Sequence, residues 1–157
     1  MGRIVVGVDG SDNAQRALAW AAQEAAAHGS TLVPVYVYEA HPSWLAYSYG
    51  EGIGAAEVEA ARQSMQEAAE QARTHAQEVV ERMILEAKVD DRIPTESIVV
   101  EGHRPAQKLV ELSEDADLLV VGSRGRGGFS GLLLGSVSQQ CATHAGCPVT
   151  IIRPKPA

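Results

Sequence analysis

Residues 122–137 read GSRGRGGFSGLLLGSV, with glycines spaced as Gly122-x2-Gly125-x9-Gly135 and Ser136 directly after the last. The apolar run DLLVV at 117–121 leads into them and has the composition of a buried parallel strand. Beyond Gly135 the chain is free of Gly and Pro up to Gly146, so a helix is expected there, with Ser136 or Ser138 as its cap. Strand, glycine loop and helix in that order aim backbone N–H groups and the positive end of a helix dipole at one point, which suits a phosphate. Glycine lets the backbone come close to the anion, and Arg124 and Arg126 add two fixed positive charges. A plain surface loop is the competing reading; the strand before and the helix after favour the anion site. The stretch is neither a Walker A loop, since Gly-Lys-Ser/Thr is missing, nor a dinucleotide G-x-G-x-x-G turn.

At the amino-terminal end, residues 3–9 (RIVVGVD) form a short β-branched run of the kind found in a central parallel strand. Ser11 or Asp12 is positioned to cap a helix over 13–27, whose stripe is Ala17, Leu18, Ala21, Ala22 and Ala25 and whose stop is Gly29. A second strand is expected over 31–38, although Pro34 removes a ladder donor and would sit better near an edge or an irregularity. Residues 39–54 form an aromatic-rich loop, long for such a connection, read either as a lid or as a loop packed on its own aromatics or on a partner subunit. From 55 to 93 there is neither Gly nor Pro, and Val58, Ala61, Met65, Ala68, Ala72, Ala76, Val79 and Met83 recur at helical spacing. One long amphipathic helix is predicted, with that stripe as core and part of its length bending or overhanging the sheet. A strand over 95–101, a helix over 106–114, the 117–121 strand, a helix over 135–144 and a last strand over 149–152 follow.

Five strands alternating with four helices predict a single α/β domain: a doubly wound, Rossmann-like five-stranded parallel sheet of order 3-2-1-4-5, with helices on both faces. The chain reverses between strands 1 and 4, so their carboxyl ends, at Asp9 and Gly122, border the binding crevice. Asp9 offers a polar contact to a base or ribose there, and the backbone near Val37 offers a base-edge partner.

The 157 residues carry a formal net charge of -7, with 45% hydrophobic and 21% charged residues. This profile fits a globular domain with its own core and argues against nucleic acid, since no basic face is evident. No apolar stretch approaches the roughly 20 residues of a membrane span, and the first strand begins within three residues of Met1, so a cytoplasmic protein is expected. Cys141, His144 and Cys147 form a C-x2-H-x2-C pattern, which lacks the fourth ligand of a closed zinc site; small cysteines flanking a helix end are expected instead, and no metal is assigned to protein side chains.

The G-x2-G-x9-G-S spacing, the preceding DLLVVGSRG, the opening IVVGVDGS and the closing CPVTII together resemble the ATP-binding subgroup of the universal stress protein family, and the likeness runs from Arg3 to Arg153. The resemblance implies ATP contacts at Gly7, Val8, Asp9, Val37, Val121, Gly122, Arg124, Gly125, Gly135, Ser136 and Val137. It also implies a homodimer paired through the last strand, 149–152. Some members of that family have Pro where Gly7 stands and Met where Val121 stands. With no carboxylate pair at the motif, Mg2+ would be held through the phosphates. The expected function is ATP binding in stress signalling. The alternatives are slow ATP hydrolysis or self-phosphorylation, or a structural dimerisation module. For hydrolysis the nearby candidates are Asp9, Glu101 and His103, which stand in no recognisable constellation and are read as helix-entry, strand-end and loop residues.

Overall fold

The computed structural model describes residues 2–40, 54–126 and 133–154. The lid-or-packed loop lies almost wholly outside the described residues, at 41–53.

The elements run β1 (Arg3–Gly7), α1 (Asp12–His28), β2 (Thr31–Tyr38), α2 (Ala55–Glu86), β3 (Ile98–Glu101), α3 (Pro105–Ser113), β4 (Leu118–Gly122), α4 (Ser136–His144) and β5 (Val149–Ile152). The sheet has the order β3-β2-β1-β4-β5 and every pairing is parallel, as the alternation of strands and helices predicts. Side chains alternate along each strand, so the two faces build two cores. Ile4, Val6, Leu32 and Val120 pack with Ala17, Leu18 and Ala21 of α1 and Val79, Val80 and Met83 of α2. Val5, Val33, Val35, Leu119 and Val121 pack on the other face with Leu109 of α3 and Cys141 of α4. Leu18, Leu32 and Leu119 are fully buried, each contributing about 1.5–3 kcal/mol of burial.

Helix α1 follows its expected ends. The Ser11 hydroxyl accepts from the Ala14 N–H at 3.2 Å, and Gly29 closes the helix at φ 62°, where a glycine costs no Cβ clash.

Three expectations are corrected, and one is met. Pro34, expected near an edge or an irregularity, lies opposite Val6 inside the sheet, at an interruption of the β2–β3 ladder. Its missing N–H is accommodated on the β3 side. Leu32 donates to Pro94 O and accepts from the Glu96 N–H, so the even-numbered residues of β2 turn their backbone groups toward β3. There Thr95 makes only an isolated bridge to Leu32, and the ladder resumes at Val35 opposite Ile98, which is why the third strand is shorter than 95–101. The long helix ends at Glu86, not 93. Lys88 adopts φ 51°, its N–H bonds to Leu85 O, and the Val89 N–H bonds to Ile84 O, a Schellman closure with lysine where glycine is usual. Finally, the stripe of α2 is core only from Ala76 onward. Val58 and Ala68 are exposed, and Ala61, Met65 and Ala72 are half-buried. Thirty-two residues span about 48 Å, against about 26 Å for the eight residues of β2, so the first half of α2 overhangs the sheet.

Candidate functional site

The carboxyl ends of β1, β2 and β4 open into a cleft of about 130 Å³. Gly7, Val8 and Asp9 line it from β1 and the turn after it, Val37 from β2, Val121 and Gly122 from β4, Arg124 and Gly125 from the loop, and Val137 from α4. Gly135 and Ser136 stand at the start of α4 and are not part of the cleft wall. Four further wall residues, Ala14, Val35, Pro105 and Leu109, are absent from the sequence reading. Val35 shares a strand face with Val37, and Leu109 lies one helical turn after Pro105, so periodicity alone could have added them once α3 was known to face the cleft.

Local structure explains the polar end of the cleft. The Asp9 carboxylate accepts from the Ser11 N–H at 2.9 Å and from the Arg126 N–H at 3.1 Å, tying the β1–α1 turn to the loop after β4. A Cβ on Gly125 would stand 2.6 Å from Asp9 Oδ2, so the loop backbone rests directly on that carboxylate. Gly122 is also tightly seated, though less so: a Cβ there would lie 3.2 Å from the backbone C and O of Asn13, at the start of α1. The Ser123 carbonyl accepts from the Gly135 N–H at 2.6 Å and from Ser138 Oγ at 2.9 Å, closing the base of the loop onto α4.

The expected serine cap of α4 is not found. Gly135 is the N-cap and makes no side-chain cap bond, Ser136 is the first helical residue, and Ser138 Oγ donates back to Gly135 O at 3.0 Å. A Cβ at 135 would meet Arg124 Cα and Ser123 O at 3.4–3.5 Å, an ordinary contact, so the packing there does not by itself require glycine. Among the described residues no side-chain oxygen caps the first-turn N–H groups of α4. Arg124 Nε is buried with no partner among the described residues. Apolar walls of valine, leucine and proline, an orphaned guanidinium N–H and an uncapped helix start fit a flat aromatic ring carrying an anionic group.

Of the residues weighed for catalysis, Asp9 lines the cleft, whereas Glu101 is exposed at the end of β3 and His103 stands 3.8 Å from Glu39 on the surface. Cys141 is buried and Cys147 partly so, both as free thiols. Burial pushes the Cys141 thiol up to about 11. Among the described residues no group of three or more His, Cys, Asp or Glu side chains is arranged to hold a metal ion, and no helix is long and apolar enough to cross a membrane.

The sequence model of the universal stress protein family matches residues 1–153. The chain belongs to the universal stress protein family. A universal stress protein of Thermus aquaticus, encoded in the QAH/OAS sulfhydrylase 3′ region, is 35% identical over 152 residues, covering 96% of this chain and 97% of that one. A Mycobacterium tuberculosis universal stress protein is 38% identical over 152 residues, covering 96% of this chain but 44% of the relative, so here the chain spans about half the relative's length. Among solved structures, universal stress protein UspA from Lactobacillus plantarum superposes with a TM-score of 0.73 at 22% identity, covering 97% of both chains, a likeness of fold. A universal stress protein in complex with cAMP gives a TM-score of 0.62 at 29% identity, covering 96% of this chain and 95% of the other.

Proposed function

We propose that this universal stress protein binds an adenine nucleotide in the cleft between the β1–α1 turn and the loop after β4, with ATP as the ligand of its signalling state. The observation that carries the reading is the meeting of apolar cleft walls with Arg124 Nε and the first turn of α4, which enters the wall at Val137, neither of them partnered by a side chain among the described residues. The adenine would lie against Val8, Val35, Val37 and Val121. The phosphates would take Arg124 and the N–H groups of Gly125, Ser136 and Val137, with Gly122 and Gly135 shaping the loop's two ends. Gly7, at 2.8 Å from Leu109 Cδ1 for a built Cβ, keeps the floor of the cleft open. The relative in complex with cAMP supports an adenine ligand. Magnesium would be held through phosphate oxygens, since both Asp9 oxygens already accept backbone N–H groups. A cytoplasmic location goes with ATP as ligand.

Calorimetric titration of nucleotide-stripped protein with Mg-ATP, AMP and cAMP tests this. Saturable binding near one site per chain is expected, tightest for ATP; absence of heat and of competition by every adenine nucleotide would refute the site. Hydrolysis draws no support from the cleft, because Asp9 is committed to the loop and Glu101 and His103 stand outside its wall. The half-buried edge strand β5 supports a homodimer paired through Val149–Ile152. Sedimentation at micromolar concentration should give a dimer, and a monomer would end that part of the proposal.

A further inference from the structure

A buried carboxamide beneath the loop is not accounted for by nucleotide contact. Asn13 is the second residue of α1 and only 8% exposed, and every polar atom of its side chain is engaged. Nδ2 donates to Ser123 Oγ at 3.2 Å and to Arg124 O at 3.1 Å, while Oδ1 accepts from Arg16 Nη2 at 3.0 Å. Ser123, 1% exposed, is the junction of three elements: its N–H donates to Ile152 O at 2.8 Å, and its carbonyl takes the Gly135 N–H and the Ser138 hydroxyl. The close seat of Asn13 on Gly122 allows the carboxamide to reach this junction.

We propose that Asn13 is the positioning residue of the phosphate loop, fixing from α1 the Ser123 hydroxyl and the backbone carbonyl of Arg124, whose guanidinium lines the cleft; the inference rests on the nucleotide reading of that cleft. The chemistry selects the amide. A donor with two hydrogens is needed toward Ser123 Oγ and Arg124 O, and an acceptor is needed toward Arg16. Aspartate keeps the Arg16 contact and lets the Ser123 hydroxyl turn to donate, but it sets oxygen against oxygen at the Arg124 carbonyl. Alanine takes this partner from the buried Ser123 hydroxyl and from two part-buried groups, the Arg124 carbonyl and the Arg16 guanidinium. In either variant the Arg124 backbone loses its only side-chain tether among those described.

The test compares Asn13→Asp with the unaltered protein in two measurements. The first is affinity for ATP and for adenosine. A rise of about tenfold in the ATP dissociation constant with adenosine within twofold is expected, because only the phosphate half of the site is displaced. Equal changes for both ligands, or none, would overturn the proposal in favour of a general stabilising role. The second needs no ligand: trypsin cleavage after Arg124 and amide exchange at Gly125 and Arg126 should both quicken at least tenfold while exchange in β1 and β4 is unchanged. Unchanged rates there would overturn the proposal on their own. If the unaltered protein binds no adenine nucleotide, the nucleotide reading fails, and the second measurement still decides whether Asn13 holds the loop. Should Asn13→Asp fail to fold, Asn13→Ser, which retains a donor, is read by the same two measurements.

Discussion

Gly125→Ala is the sharpest perturbation of the loop. The added Cβ would stand 2.6 Å from Asp9 Oδ2, and ordinary contact begins near 3.4 Å, so the carboxylate or the loop must move by about 0.8 Å. The carboxylate is not free to swing, because Ser11 N–H and Arg126 N–H hold its two oxygens. Movement of either kind stretches the 3.1 Å bond to Arg126 beyond hydrogen-bonding range. A hydrogen bond to a charged group contributes about 1.5–3 kcal/mol, and this one is exposed to solvent, so the lower figure applies. About 1.5 kcal/mol corresponds to roughly a tenfold loss in affinity for a ligand that needs the loop in place. Calorimetry with ATP and exchange at the Arg126 amide should both register the change. In an Asp9→Ala background, where the obstacle is gone, Gly125→Ala should add nothing to Arg126 exchange, and that coupling is the signature of the contact. An affinity within twofold of the unaltered protein and an unchanged Arg126 amide would refute the reasoning.

Three other perturbations have clear signs. Lys88→Gly should raise stability by about 1 kcal/mol in denaturant unfolding, since a lysine at φ 51° bears a Cβ strain that glycine lacks; a loss of stability would mean that the lysine side chain matters more than its backbone. Ser11→Ala should cost about 1 kcal/mol and Ser11→Gly only a few tenths, because the hydroxyl that accepts the Ala14 N–H is lost in both while glycine suits the cap position; equal costs would argue against the cap. Burial raises the Cys141 thiol from 9.0 to about 11, so the folded chain keeps that proton to higher pH than the unfolded chain. The contribution is therefore present below pH 9 and is lost as pH rises toward 11. Stability between about pH 8 and 10.5 should fall more steeply for the unaltered protein than for Cys141→Ala, and parallel curves would contradict the buried-thiol account.

The parts of the structure that are readable in the sequence are those where one residue's neighbours in the chain determine its role. A parallel strand covered on both faces needs no alternation of polar and apolar residues; runs such as LLVVG at 118–122 and IVVG at 4–7 announce themselves by composition, and the alternation of strands with helices then leaves few orders for the sheet. The strand ends in that order bring Asp9 and Gly122 together, so polar residues at either end can be named before any coordinates. What escapes is decided by contacts over long sequence separation or by a local exception to a rule. Lys88 ends α2 in a conformation usually marked by glycine, so composition alone carries the helix on to 93. The length of α2 announces that part of it overhangs the sheet, but the point at which its stripe stops being core, before Ala76, depends on which strands lie beneath it, and no period within 55–86 encodes that. Leu109 and Pro105 are ordinary apolar residues until α3 is set across the mouth of the cleft. Asn13 illustrates the limit best: within its own helix it is a middling residue, and its meaning comes from Ser123 and Arg124, 110 and 111 positions away. A glycine motif can thus declare that a loop approaches an anion, while the residue that holds the loop there is visible only when the distant strand end has been placed beside it.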